Sequence, residues 1–188
     1  MKFIETLKNI WRIEDLRKRL LITILFVAVY RFGSFVVLPG INPAQLQALR
    51  TSASSGLLGL LDMFSGGAFA NASIFALGIM PYISASIVMQ LLGIAVPYFQ
   101  KLQHEGESGY TKMNQYTRYL TIFILLLQGP AYIYGALRGA IPGGFFDWVL
   151  PSTIILAAGS MFVLWLGERI TDKGVGNGVS FIILIGII

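Results

Sequence analysis

An all-α, polytopic membrane architecture is what this sequence predicts, and three observations carry the prediction. Hydrophobic residues make up 55% of the 188-residue chain and charged residues only 12%, with a mean hydropathy of +0.72, whereas an ordinary soluble domain carries about 25% charged residues. Four apolar runs, 20–38, 74–96, 119–137 and 148–167, each approach or reach the roughly 20 residues that a helix needs to cross a bilayer core. The last three of them contain no Asp, Glu, Lys, Arg or His. A fifth run, 178–188, is apolar over about half the required length, which reads as a span cut short in a chain that is a fragment.

Residues 1–19 come first and are polar overall. Ile4, Leu7, Ile10 and Trp11 recur at helical spacing with Glu5, Lys8 and Arg12 between them, the pattern of an amphipathic helix. Such a helix lies on a lipid surface or packs on a partner, and the pattern does not choose. The run that follows is too long for the apolar region of a cleavable leader and has no small-residue cleavage site behind it. Arg31, near its end, is expected to snorkel outward or to pair with a polar group.

Orientation follows from the basic residues. Lys2, Lys8, Arg12, Arg17, Lys18 and Arg19 precede the first run, Lys101, Lys112 and Arg118 separate the second from the third, and Arg169 and Lys173 follow the fourth. The other two connectors carry only Arg50 and Arg138. The N-terminus is therefore expected on the cytoplasmic side, with connectors 38–73 and 138–147 facing outward. The net charge of +5 reads as cytoplasmic anchoring rather than as a nucleic-acid surface.

Irregular places carry more information than the runs. Pro81 falls in the second, Gly129-Pro130 in the third and Pro151 at the start of the fourth, where a kink is expected. Connector 38–73 opens with Pro39-Gly40 and passes through Thr51-Ser52-Ala53-Ser54-Ser55. It then becomes apolar at Leu57, Leu58, Leu60, Leu61, Met63 and Phe64 before Ser65-Gly66-Gly67. That group is too short to span and too apolar for a solvated loop. It is either a half-helix re-entering the protein or a short helix on the outer surface. In the second run Ile79, Ile83 and Ile87 share a helical stripe. Most such stripes are ordinary packing, although a ring of branched aliphatic side chains also closes a pore by dewetting.

The remaining motifs are weak. Gly174-Val175-Gly176-Asn177-Gly178 lacks both the preceding strand and the Gly-Lys-Ser/Thr ending of a phosphate loop. His104 is the only histidine and lies in a charged connector, so it is a poor basis for a triad or a metal site. Asn71-Ala72-Ser73 matches the glycosylation tripeptide by chance. With no cysteine in the chain, disulfides and thiolate ligands are excluded. No catalytic residue, metal ligand or cofactor is indicated.

Four strings together resemble the SecY family, the channel subunits of the bacterial protein translocase. They are YRFGSFVVLPGI (30–41), DMFSGGAFANASIFALGIMPYISASIVMQLL (62–92), HEGESGYTKMNQYTRY (104–119) and WLGERITDKGVGNGVSF (165–181). They fall in family order and cover the irregular places just described. The resemblance implies two pseudo-symmetric helical halves around an hourglass channel, this chain being the N-terminal one. Its segment 52–71 matches the plug, with Ser55, Gly56, Leu57, Leu58, Leu60, Leu61, Met63, Phe64, Ser65, Gly66 and Gly67 at its centre. Ile79, Ile83 and Ile87 match the pore ring, to which the fifth span adds Val179 and Ile183. Gln90 and Gln128 match the lateral gate. The chain departs from relatives at Val37, Asn71 and Val179, where a proline, an arginine and an isoleucine occur in some members.

The function so implied is a gated conduit for unfolded polypeptide in a bacterial inner membrane, without enzymatic activity of its own. A signal sequence would open it sideways to lipid, and the driving force would come from the SecA ATPase or a ribosome. SecE and SecG would be its partner subunits. The rival reading is an ion-coupled transporter with broken helices, which normally needs intramembrane carboxylates that the complete runs lack. An intramembrane protease would need a histidine at membrane depth, and His104 is not placed there.

Overall fold

The computed structural model describes residues 11, 13–42, 46–47, 51, 57–137 and 144–187. The amphipathic pattern of residues 1–10, the plug residues Ser55 and Gly56, most of the polar patch before them, and the connector around Arg138 lie outside the described residues. Helices dominate what is described: α1 (Glu14–Ser34), α2 (Leu57–Ser65), α3 (Met80–Ala95), α4 (Pro97–His104), α5 (Glu107–Ala136), a π-helical turn (Phe145–Val149), α6 (Leu150–Lys173) and α7 (Gly178–Ile187). Between α2 and α3 residues 66–79 run through turns, and Ser73 among them forms an isolated antiparallel bridge with Val37.

Proline decides several helix starts. Pro81, Pro97 and Pro151 each occupy the first turn of a helix, where the missing N–H has no intrahelical partner to lose. Pro81 therefore opens α3 instead of kinking a span that began at residue 74. Residues 74–79 form turns, and Gly78 adopts φ +50. Val96, held extended before Pro97 (φ −111, ψ 119), separates α3 from α4, and the two helix axes meet at 99°. Among the described residues Pro130 alone lies inside a helix, α5.

Among the described residues two helices, Glu107–Ala136 and Phe146–Lys173, are long and apolar enough to cross a membrane, and the bent pair α3–α4 is a third by the same measure. Helix α1 has 21 residues, but Arg17 to Arg19 and Arg31 leave only 20–30 uninterrupted by charge. The stretch after it, expected to prolong the first span to residue 38, is extended. The Leu38 N–H donates to the Ala72 carbonyl at 2.9 Å and the Ile74 N–H to the Val36 carbonyl at 2.9 Å.

Packing is organised around the buried segment 68–76. On one side Phe69, Ala72 and Ala76 join Leu38, Tyr132, Ile133, Leu137, Val149 and Leu156. On the other Ala68 and Phe75 join Tyr30, Ile79, Val163, Leu166, Ile170 and Ile182. Small residues allow the close approach, as in helix packing within lipid. A Cβ on Gly159 would fall 2.1 Å from the Ile74 carbonyl oxygen, and one on Gly33 would fall 2.0 Å from the Phe75 ring. Helix α6 is the hub, in contact with α1, α5 and α7, while α3 packs on α5 and α2 on α7.

Candidate functional site

Helix α2 is nine residues of almost wholly apolar chain. Its end is built from local polar bonds. The Ser65 hydroxyl donates to the Asp62 carbonyl at 3.0 Å and accepts from the Phe69 N–H at 3.0 Å. The Gly67 N–H donates back to the Asp62 carbonyl at 3.0 Å, with Gly66 at φ +66 and Gly67 at φ +80, the left-handed exit that glycine adopts most readily. The Asp62 carboxylate then accepts the Ala70 N–H at 2.8 Å. Leu61 packs on the Phe69–Tyr132 cluster, whereas Leu60, Met63 and Phe64 are exposed.

Three further elements hold this end. The Tyr30 hydroxyl of α1 donates to the Ser65 carbonyl at 3.1 Å, and the Tyr132 hydroxyl of α5 donates to the Phe69 carbonyl at 2.8 Å. Gly186 of α7 lies so near that a Cβ there would fall 2.9 Å from the Phe64 carbonyl oxygen. No motif in the sequence marks Tyr30, Tyr132, Asp62 or Gly186 for these contacts. The signal available for the first three is polarity in an apolar setting, since a buried hydroxyl or a lone carboxylate needs a partner.

The aliphatic residues are brought together in part. Ile79 is buried, 5% exposed, inside the cluster with Tyr30, Phe75 and Ile182. Ile83, Val179 and Ile183 pack at the edge of that same cluster. Ile87 stands apart and is 52% exposed. Ile79 is the N-cap residue of α3, φ −96 and ψ −3, and its carbonyl accepts the Ile83 N–H at 3.1 Å, so the two stand one turn apart at the start of the helix.

The two glutamines open on different cavities. Gln128 lines one of about 350 Å³ together with Leu61, Phe69, Met80, Ser84 and Tyr132. Gln90, with its Nε2 3.5 Å from the Ser86 hydroxyl, borders a smaller cavity of about 140 Å³ beside Tyr110 and Asn114. A polar hollow of about 250 Å³ lies between α5, α6 and the start of α7. Across it Arg118 and Glu168 pair at 2.7 Å.

The glycine-rich stretch 174–178 is stapled to the helices around it. Arg19 donates to the Gly174 carbonyl at 3.2 Å, and the Val175 N–H donates to the Thr23 hydroxyl at 3.2 Å. The Gly178 N–H donates to the Thr171 hydroxyl at 2.9 Å. The Asn177 side-chain oxygen accepts the Val179 and Ser180 N–H groups at 3.1 and 3.3 Å, which is N-capping of α7. Amides that a phosphate loop would turn toward a ligand are spent on side chains here. The stretch places Val179; it does not cradle an anion.

Comparison with known proteins bears on the family of the chain. The sequence model of the family described as SecY matches residues 73–188. The chain is 41% identical over 193 residues to a protein translocase subunit SecY of Aquifex aeolicus, covering 98% of this chain and 45% of the relative. It is 42% identical over 190 residues to the subunit of that name from Streptomyces scabiei, covering 94% and 44%. With the Escherichia coli K12 subunit it shares 43% over 179 residues, covering 93% and 40%. The chain thus spans less than half the length of these curated relatives. Family-model match and identities of this size across nearly the whole chain leave one assignment: it belongs to the SecY family.

Proposed function

We propose that this chain forms the N-terminal half of a gated, protein-conducting channel in a bacterial cytoplasmic membrane. The observation that carries the reading is the seat of α2, a short apolar helix lodged against α7 next to the aliphatic cluster. A helix of nine residues spans about 14 Å at 1.5 Å per residue, far short of a bilayer but long enough to stop a narrow passage. On this reading α2 is the plug. Ile83, Ile87, Val179 and Ile183 form this half's share of the waist, with Ile79 behind them in the resting state. The remainder of the protein closes the ring.

A dry aliphatic waist suits this task because ions and water lose hydrogen bonds there, while an extended chain meets nothing polar to hold it. Gln90 and Gln128, on α3 and α5, belong to the side that opens to lipid for a signal sequence. The N-terminus is cytoplasmic, placing the polar hollow around Arg118 and Glu168 on the side where SecA or a ribosome delivers substrate. SecE and SecG complete the assembly. The chain's part is passive conduction without catalysis, so energy comes from the delivering partner.

The test is reconstitution of the full-length protein with SecE and SecG in vesicles, with SecA and ATP supplied. Uptake of a signal-bearing polypeptide, lost when its signal sequence is removed, is the expected result. Ile83→Asn and Val179→Asn should each raise resting ion conductance by wetting the waist. Absence of polypeptide uptake together with proton-driven uptake of a small solute would replace the channel with a carrier.

A further inference from the structure

Neighbouring residues of α1 reach two different elements at the end of α2. Tyr30, 2% exposed, holds the Ser65 carbonyl through its hydroxyl at 3.1 Å. Arg31 donates through Nη2 to the Ile185 carbonyl of α7 at 2.6 Å. Its Nη1 lies 3.5 Å from the place a Gly66 Cβ would occupy, and the same Gly66 position is 3.1 Å from Gly186 Cα. The end of α2 is thus held from one side by Tyr30 and flanked on the other by α7, which Arg31 ties to α1.

The backbone changes character just past this point. Gly66 and Gly67 both adopt positive φ, and glycine rotates there with little steric resistance. Beyond them Ala68, Ala72 and Ser73 are fully buried, and Tyr132 anchors the Phe69 carbonyl. Displacement of α2 therefore pivots at Gly66-Gly67. It breaks the Tyr30–Ser65 bond and the local bonds from the Phe69 and Ala70 N–H groups to Ser65 and Asp62, and it parts Gly66 from Gly186, while the buried segment stays in place. An arginine at membrane depth is costly unless it is paired or reaches water, and so reads as functional with its partner named.

We propose that Tyr30 and Arg31 form a latch that holds α2 in its seat: Tyr30 by gripping the plug's end, Arg31 by holding α7 against it. The latch rests on the reading of α2 as the plug of a polypeptide channel. Both are positioning residues. Loosening the latch shifts the resting equilibrium toward the unseated plug without changing the waist.

The experiment measures ion conductance through the full-length protein with its partner subunits in planar bilayers, before and after a synthetic signal peptide is added. Tyr30→Phe removes one hydroxyl and preserves ring shape. It should raise resting conductance about two- to tenfold, the factor that one net buried hydrogen bond is worth. Arg31→Gln should raise it further, and Arg31→Lys, which keeps the charge, should restore it in part. Tyr134→Phe, exposed on α5, should leave it at the parent level. Wild-type channels that open with signal peptide, combined with parent-level resting conductance in Tyr30→Phe and Arg31→Gln, overturn the latch alone. Wild-type protein that never conducts, with or without the peptide, removes the channel reading and the latch with it.

Discussion

Glycine positions separate residue-scale packing from backbone freedom. Gly159 lies in α6 where a Cβ would collide with the Ile74 carbonyl oxygen, whereas Gly135 of α5 has nothing within 4 Å of the same position. Gly159→Ala must push segment 68–76 away from α6. It should cost about 1–3 kcal/mol, the usual penalty for overpacking. Gly135→Ala should be neutral or stabilise by about 0.5–1 kcal/mol, because alanine loses less conformational entropy in a helix. Thermal midpoints of the two variants in detergent check the opposite signs. Neither contact was legible in the sequence, where both glycines are single small residues in apolar runs. Arg31 was legible as a residue in need of a partner, but the Ile185 carbonyl that satisfies it is 154 positions away in the chain.

At the scale of elements, capping and proline explain most boundaries. Asn177 opens α7 by accepting two backbone N–H groups. Asn177→Ala should cost about 1 kcal/mol of stability, typical for loss of an N-cap, and Asn177→Ser should retain most of it. Urea titration of the full-length protein in detergent would show whether the cap is worth this much. The segment 97–118 was expected as a charged connector. It folds into α4 and the first turns of α5, because Pro97 starts one helix and Gly106, at φ +74, separates it from the next. The short apolar group near residue 60 was recognised as neither a span nor a loop. Its helical form followed from pattern; its seat against α7 did not, since that contact joins residues more than a hundred positions apart.

For the whole molecule, charge placement and exposed apolar surface make the argument. Ile24, Leu25, Phe32, Leu91, Ile94, Phe123 and Leu127 are all exposed, a surface far too apolar for water. Lipid, or other helices of the full protein, is the solvent that suits it. The basic residues concentrate in the N-terminal stretch and in alternate connectors, so on the proposed orientation a protease-cleavable tag at the N-terminus should be protected in sealed right-side-out vesicles and cut in inverted ones. Protection in the inverted vesicles would reverse the orientation.

Composition and run length alone determined that this chain is a helical membrane protein, because a bilayer admits only helices and closed barrels, and uncharged runs of about 20 residues fit the helix. Motif order pointed to the SecY family without any coordinates. Only the tertiary structure decided that Ile79 is buried while Ile87 is exposed, that Tyr30 and Tyr132 hold the backbone on either side of Gly66-Gly67, and that Asn177 in the 174–178 loop caps a helix. Those facts depend on contacts between distant segments and on local backbone turns. A periodic pattern along the chain encodes neither.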